Sequence, residues 1–137
     1  MTTKIPVLII HPNDKSFHWL EEALREQGIQ TCHAEGAKQA QAIFDQPDPP
    51  QIVFTDTTMA DCSWEDIVKL AGEARRPASV IVVSRLLDVG LYIKVLQSGA
   101  FDFIVPPISV SDLAYIVHCA IDRRFESCQA SRRTAVA

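Results

Sequence analysis

Glycine is scarce in this chain, with five in 137 residues. None stands in a G-x-G-x-x-G or G-x-x-x-x-G-K pattern, so the usual backbone cradles for dinucleotides and nucleoside triphosphates are missing. No G-x-S-x-G turn is present to raise a serine nucleophile. A small α/β enzyme or nucleotide-binding domain is therefore only a remote alternative. Long apolar runs are missing too. The longest, such as Val7-Leu8-Ile9-Ile10 and Val80-Ile81-Val82-Val83, are strand-sized and fall well short of the ~20 residues that cross a bilayer. Met1-Thr2-Thr3-Lys4 leads into a short run broken by His11-Pro12, which is not a secretory signal. Positive charge is in deficit, with 13 Lys and Arg against 17 acids and a formal charge of −4. That argues against direct nucleic-acid binding, which usually needs a basic surface. Cys32, Cys62, Cys119 and Cys128 show no C-x-x-C spacing, so four reduced thiols are expected rather than a zinc site or a disulfide. The expected setting is the cytoplasm, away from the membrane.

What is present is enough apolar material for one core. Apolar residues make up 47% and charged residues 22%, and one domain is the natural count at this length. The hydrophobic period alternates between strand and helix. Lys4 to Ile10 is a nearly all-apolar run, as expected of a parallel strand covered on both faces. Asn13 to Gln27 is helical, with Phe17, Leu20 and Leu24 on one face, Asn13 or Asp14 as cap and Gly28 as stop. Ile29 to Ala34 reads as a weaker edge strand, and Ala37 to Asp45 as a helix ended by the prolines of Gln46-Pro47-Asp48-Pro49-Pro50. A third strand covers Gln51 to Thr55, and a third helix Ser63 to Glu73, with Ser63 as cap. Ser79 to Val83 is the fourth strand, Leu86 to Ser98 the fourth helix and Phe101 to Val105 the fifth strand. Leu113, Ile116, Val117, Ala120 and Ile121 mark the last helix, capped by Ser109 or Ser111.

Five strand–helix units in strict alternation demand a parallel sheet with right-handed crossovers. The expected fold is a flavodoxin-like (βα)5 doubly wound sandwich with strand order 2-1-3-4-5. Such sheets bind their ligands beyond the carboxyl ends of the strands. Function is therefore expected at His11-Pro12-Asn13-Asp14, Asp56-Thr57-Thr58-Met59, Ser84-Arg85 and Pro106-Pro107.

Those residues, in that order, resemble the receiver domain of bacterial response regulators. The similarity runs from about Lys4 to Arg124, within a domain of residues 4–125, while residues 126–137 read as a flexible tail or linker stub. Asp56 matches the family's phosphoacceptor and Met59 the methionine three residues on; Ser84 matches its switch hydroxyl, and Gly99-Ala100 and Pro107 its last landmark. The resemblance also shows what is missing. His11 and Pro12 stand where two acids help to hold Mg2+, and Pro106 stands where the family has a lysine. Ala60 replaces a usual proline, Trp64 a usual glycine and Phe103 a frequent tyrosine. Because the Lys-Pro bond at this place is typically cis, a cis Pro106-Pro107 bond is expected to keep the turn and discard the charge.

These departures bear on the chemistry. Bringing a phosphoryl group to a carboxylate sets anion against anion, and Mg2+ relieves this through hard oxygen ligands. Proline offers no side-chain ligand, and imidazole is a poor partner for a hard cation. Mg2+ binding is thus expected to be weak or absent, with Asp56 and, if the loop bends, Asp14 as the metal ligands. Two readings stay open at each position. Asp56 is either an acceptor or a capped or salt-bridged acid. Ser84 is either a switch or a strand-end hydroxyl that satisfies local backbone. His11 is either a solvated histidine or a cation paired with Asp56. His18, His33 and His118 read as structural or surface residues.

Receivers signal through helix 4, strand 5 and helix 5. Helix 4 here carries more apolar residues than one face can bury, so Leu86, Leu87 and Leu91, with Phe103 on strand 5, are the expected partner surface. Arg85 can add a charged contact there. The alternative is a well-buried helix with scattered exposed apolar residues. The favoured function is a receiver-type signalling module of a bacterial two-component or phosphorelay system, acting on a partner protein or as a homodimer. The alternative is a working Mg2+-dependent acceptor, phosphorylated on Asp56 by a histidine kinase. A stand-alone receiver and a piece of a longer regulator fit the sequence equally.

Overall fold

The computed structural model describes residues 6–12, 17–74 and 76–122. Strands β1 (Pro6–Ile10), β2 (Gln30–Ala34), β3 (Ile52–Asp56), β4 (Ser79–Val83) and β5 (Asp102–Ile104) form one sheet in the order β2-β1-β3-β4-β5, every pair parallel. Helices α1 (His18–Glu26), α2 (Ala37–Phe44), α3 (Trp64–Glu73), α4 (Val89–Gln97) and α5 (Val110–Asp122) alternate with them. This is the doubly wound order that the alternation of periods predicts. The possible caps Asn13 and Asp14, the metal candidate Asp14, and the tail 126–137 lie outside the described residues.

The apolar strands are covered on both sides, and their side chains sort by parity. Val7, Ile9, Ile52, Phe54, Ile81 and Val83 face the core under α1 and α5, where Leu20, Leu24, Leu113 and Ile116 meet them. Leu8, Ile10, Val53, Val80 and Val82 face the opposite core with Ala40 and Phe44 of α2, Ile67 of α3 and Val95 of α4. Full burial of each Leu, Ile or Phe contributes about 1.5–3 kcal/mol. With both faces and the sheet interior filled, the polar end groups of the strands are left at the carboxyl edge.

Helix ends follow local chemistry. Gly28 and Gly99 close α1 and α4 at φ of 75° and 100°, a region that favours glycine. The Ser63 N–H donates to Asp66 Oδ2 at 3.0 Å, part of a capping box on α3. Ser109, rather than Ser111, caps α5, accepting from the Asp112 N–H at 3.1 Å. Asp88 caps α4 through the Leu91 N–H at 3.1 Å, and this moves the start of α4 from the expected Leu86 to Val89. Leu86 and Leu87 thus belong to the β4–α4 loop, a correction caused by the cap that the apolar run concealed.

The thiols need a second correction. Cys32 and Cys62 are free, but Cys119 is disulfide-bonded. A bridge is set by the Cα separation and by the orientation of the two Cβ atoms, which short-motif spacing does not reveal. Among the described residues no helix is long and apolar enough to cross a membrane.

One long-range tie joins neighbouring units. Asp61, in the β3–α3 loop, accepts from the N–H groups of Ala37 at 3.0 Å and Lys38 at 3.2 Å, capping α2 from outside. A Cβ at position 36 would lie 2.0 Å from Asp61 Oδ1, so Gly36 permits the approach. The Ala37 N–H foremost, then that of Lys38, holds the Asp61 carboxyl below its ordinary 3.8. A carboxyl lowered on folding stabilises above its unfolded value and loses that contribution as pH falls through its folded value. Thermal denaturation should therefore separate wild type from Asp61→Ala at neutral pH, and the two should converge in acid below the normal aspartate range. Gly36→Ala should displace the carboxylate and add nothing in the Asp61→Ala background. Burial first, then a hydrogen bond to Asp61, pushes the neighbouring Cys62 thiol up to about 11. At pH 8 its thiolate fraction falls about a hundredfold, and greater nucleophilicity recovers part of this. Iodoacetamide should alkylate Cys62 about tenfold more slowly than an unstructured cysteine peptide, as read by mass spectrometry.

Candidate functional site

The parallel register brings the candidate residues to one edge. Ile10 pairs with Thr55, so His11 and Asp56 are the next residues along β1 and β3. The ladder continues at both flanks, with His11 N–H on the Ala34 carbonyl at 3.1 Å and Ser84 N–H on the Ile104 carbonyl at 2.9 Å. Asp56 pairs with Val83, which places Ser84 and Arg85 just past it. Pro106-Pro107 follows β5 with a cis bond, as expected.

Asp56 is 4% exposed. Its Oδ1 accepts from the Thr57 N–H at 2.7 Å and lies 3.4 Å from the Thr57 hydroxyl. Its Oδ2 lies 3.3 Å from the Arg85 guanidinium. The carboxylate is thus salt-bridged, one of the two readings left open for it. The Arg85 side chain is 61% exposed, so Coulomb attraction alone is worth at most about 1 kcal/mol. The greater constraint is on the acid, because a buried carboxylate stripped of its partner is an uncompensated charge.

His11 does not take this place. It is buried rather than solvated, stacked on Phe17 with centroids 4.8 Å apart and tilted against His33 at 4.3 Å. Its Nδ1 contacts the Pro12 carbonyl. Its Nε2 lies 3.8 Å from Glu21 Oε1, beyond hydrogen-bond reach, and has no hydrogen-bond partner among the described residues. Pairing of His11 with Asp56 is therefore replaced by the Arg85 pair, and both open readings of His11 are corrected. The neighbouring rings, Phe17 at the N-cap of α1 and His33 in β2, hold the ring inside.

Ser84 is also buried, and its hydroxyl serves local backbone. It donates to the Leu86 carbonyl at 2.8 Å and accepts from the Leu86 N–H at 3.2 Å. Beyond it Leu86 and Leu87 are 76% and 79% exposed, followed by exposed Val89 and Ile93. Leu91 is half-buried, packed against the core, and Phe103 is buried with its ring against Tyr92 at 5.7 Å. Phe103 therefore leaves the expected partner surface. As the middle residue of a buried strand it points into the α2–α4 core.

The sequence profile of the response regulator receiver domain matches residues 7–118. The chain belongs to this receiver family. Regulatory protein AtoC of Escherichia coli (strain K12) is 26% identical over 121 residues, covering 88% of this chain and 26% of that protein. DNA-binding transcriptional regulator NtrC of Proteus hauseri is 24% identical over 118 residues, covering 85% and 25%. The chain spans about a quarter of the length of these curated relatives. A response regulator receiver protein from Pseudomonas putida has a similar structure, with a TM-score of 0.72 and 26% identity, covering 86% of this chain and 98% of that one. Receiver domains are signalling modules of two-component systems that communicate with histidine kinases and other partners.

The described residues of this receiver do not fit a Mg2+ ion. Asp56 is a single carboxylate whose outer oxygen faces a guanidinium, His11 offers a nitrogen, and neither Pro12 nor Pro106 has a side-chain donor. Among the described residues no group of three or more His, Cys, Asp or Glu could hold a metal. A small, hard cation asks for near-octahedral oxygen ligation, and one carboxylate already facing a cation does not begin it.

The sequence reading set Arg85 on the partner surface and missed its pairing with Asp56. The signal was available: in a parallel pair with Asp56 level with Val83, the second residue past β4 can reach the end of β3. Asp61 and the His11–His33 contact were missed as well. Both join units that are separate in sequence, and no local pattern marks them.

Proposed function

We propose that this receiver is an atypical one, a cytoplasmic interaction module of a bacterial two-component or phosphorelay system that works without phosphate control. It acts through a partner protein or a second copy on the face formed by α4, β5 and α5. The observation that supports this best is the ion pair of Arg85 with Asp56, in a site with no second carboxylate and no lysine among its described residues. Loss of one electrostatic contact in a transition state typically costs about 3 kcal/mol. Loss of several slows phosphoryl transfer by orders of magnitude, although such costs do not simply add. The exposed Leu86, Leu87, Val89 and Ile93, with Val110 and Tyr115 on α5, are the apolar residues open to a partner.

Intact-mass measurement after incubation with acetyl phosphate and Mg2+ tests the reading. The expected result is no phosphoryl gain in the folded wild type, as in Asp56→Asn. A gain in the wild type that Asp56→Asn lacks would overturn it in favour of a Mg2+-dependent acceptor fed by a histidine kinase.

A further inference from the structure

Arg85 stands between two features that the fold brings together. Behind it is a buried carboxylate, and ahead of it are two leucines more than three-quarters exposed. Exposed leucines in a loop tend to turn inward, because burial of each is favourable. This loop is held outward from both sides. The Ser84 hydroxyl engages both backbone polar groups of Leu86. Asp88 fixes the far end through the first turn of α4. Between these anchors, a side-chain tie reaches across the sheet edge from Arg85 to Asp56, at 3.3 Å.

We propose that the Arg85–Asp56 ion pair is a latch that holds the β4–α4 loop in its leucine-presenting form. Arg85 is then a positioning residue, which acts on Leu86 and Leu87 through the backbone it shares with them. A cation or phosphoryl group that takes the outer oxygen of Asp56 has to displace the guanidinium, and so loosens the loop. By linkage, a partner that grips the presented leucines also disfavours any such ligand at Asp56. The proposal rests on the reading above only in taking this loop as a contact surface.

The test is the solvent-exchange rate of the Leu86 amide, measured by NMR in wild type, Arg85→Ala, Asp56→Asn and the double variant. Arg85 is largely exposed, and Asp56→Asn keeps the side-chain volume, so the fold should survive; the amide of Phe54 in β3 serves as the core reference. Ser84→Ala, which removes the acceptor of the Leu86 N–H, is the positive control. Each single variant should speed Leu86 exchange by about three- to fivefold, the range open to a partly exposed pair. The double variant should match the singles rather than their product, with Phe54 unchanged. Unchanged Leu86 exchange in Arg85→Ala, or multiplying effects in the double variant, would overturn the latch and leave the phosphate-independent reading standing. Mg2+ alone is the added probe. If it speeds Leu86 exchange in wild type but not in Asp56→Asn, the latch is supported and the metal-free reading fails.

Discussion

A carboxylate buried at the end of a parallel strand has to be compensated, and the rest of this site follows from how that is done. Asp56 is nearly closed to solvent, and an ionised group there is costly unless hydrogen-bonded and paired. The Thr57 amide serves one oxygen and the Arg85 guanidinium faces the other. The counter-charge comes from the chain itself, two residues past β4. That choice is consistent with the lack of acids at 11 and 12 and of a lysine at 106. With a guanidinium already present, further positive charge would meet repulsion rather than a free carboxylate.

The same economy is visible in the neighbouring hydroxyl. The Ser84 hydroxyl donates to the Leu86 carbonyl and accepts from the Leu86 N–H. The Asp56–Arg85 pair and the Ser84–Leu86 hydrogen bonds lie side by side at the carboxyl edge, through residues adjacent in sequence. The position of the His11 ring, turned into an aromatic pocket between α1 and β2, separates the first strand from these contacts. The edge therefore divides into a packed half around β1 and β2 and a charged half that leads to α4.

Much of this could be read from residues alone. The two-sided apolar runs at Val7–Ile10, Ile52–Phe54 and Val80–Val83 imply a parallel sheet, because only strands covered on both faces lack polar alternation. Helical periods between them imply the right-handed crossovers, and 2-1-3-4-5 is the expected order for a doubly wound sheet of five strands. With that order, Asp56 and Ser84 fall at the functional edge before any coordinate is known. The start of α4 was less legible. Leu86 and Leu87 continue an apolar helical pattern, and only the cap geometry of Asp88 shows that the helix begins after them.

Sequence by itself determined the alternation of strands and helices, the resemblance to the family and the residue types at 11, 12 and 106, since these depend on local period and on residue identity at strand ends. Tertiary structure alone decided which cation meets Asp56, that Phe103 is buried, that Asp61 caps α2, and that Cys119 is bridged. The reason is the range of the forces involved. Periodicity is written in neighbours three or four residues apart. A guanidinium and a carboxylate 29 residues apart meet only after the sheet register has brought β3 and β4 side by side.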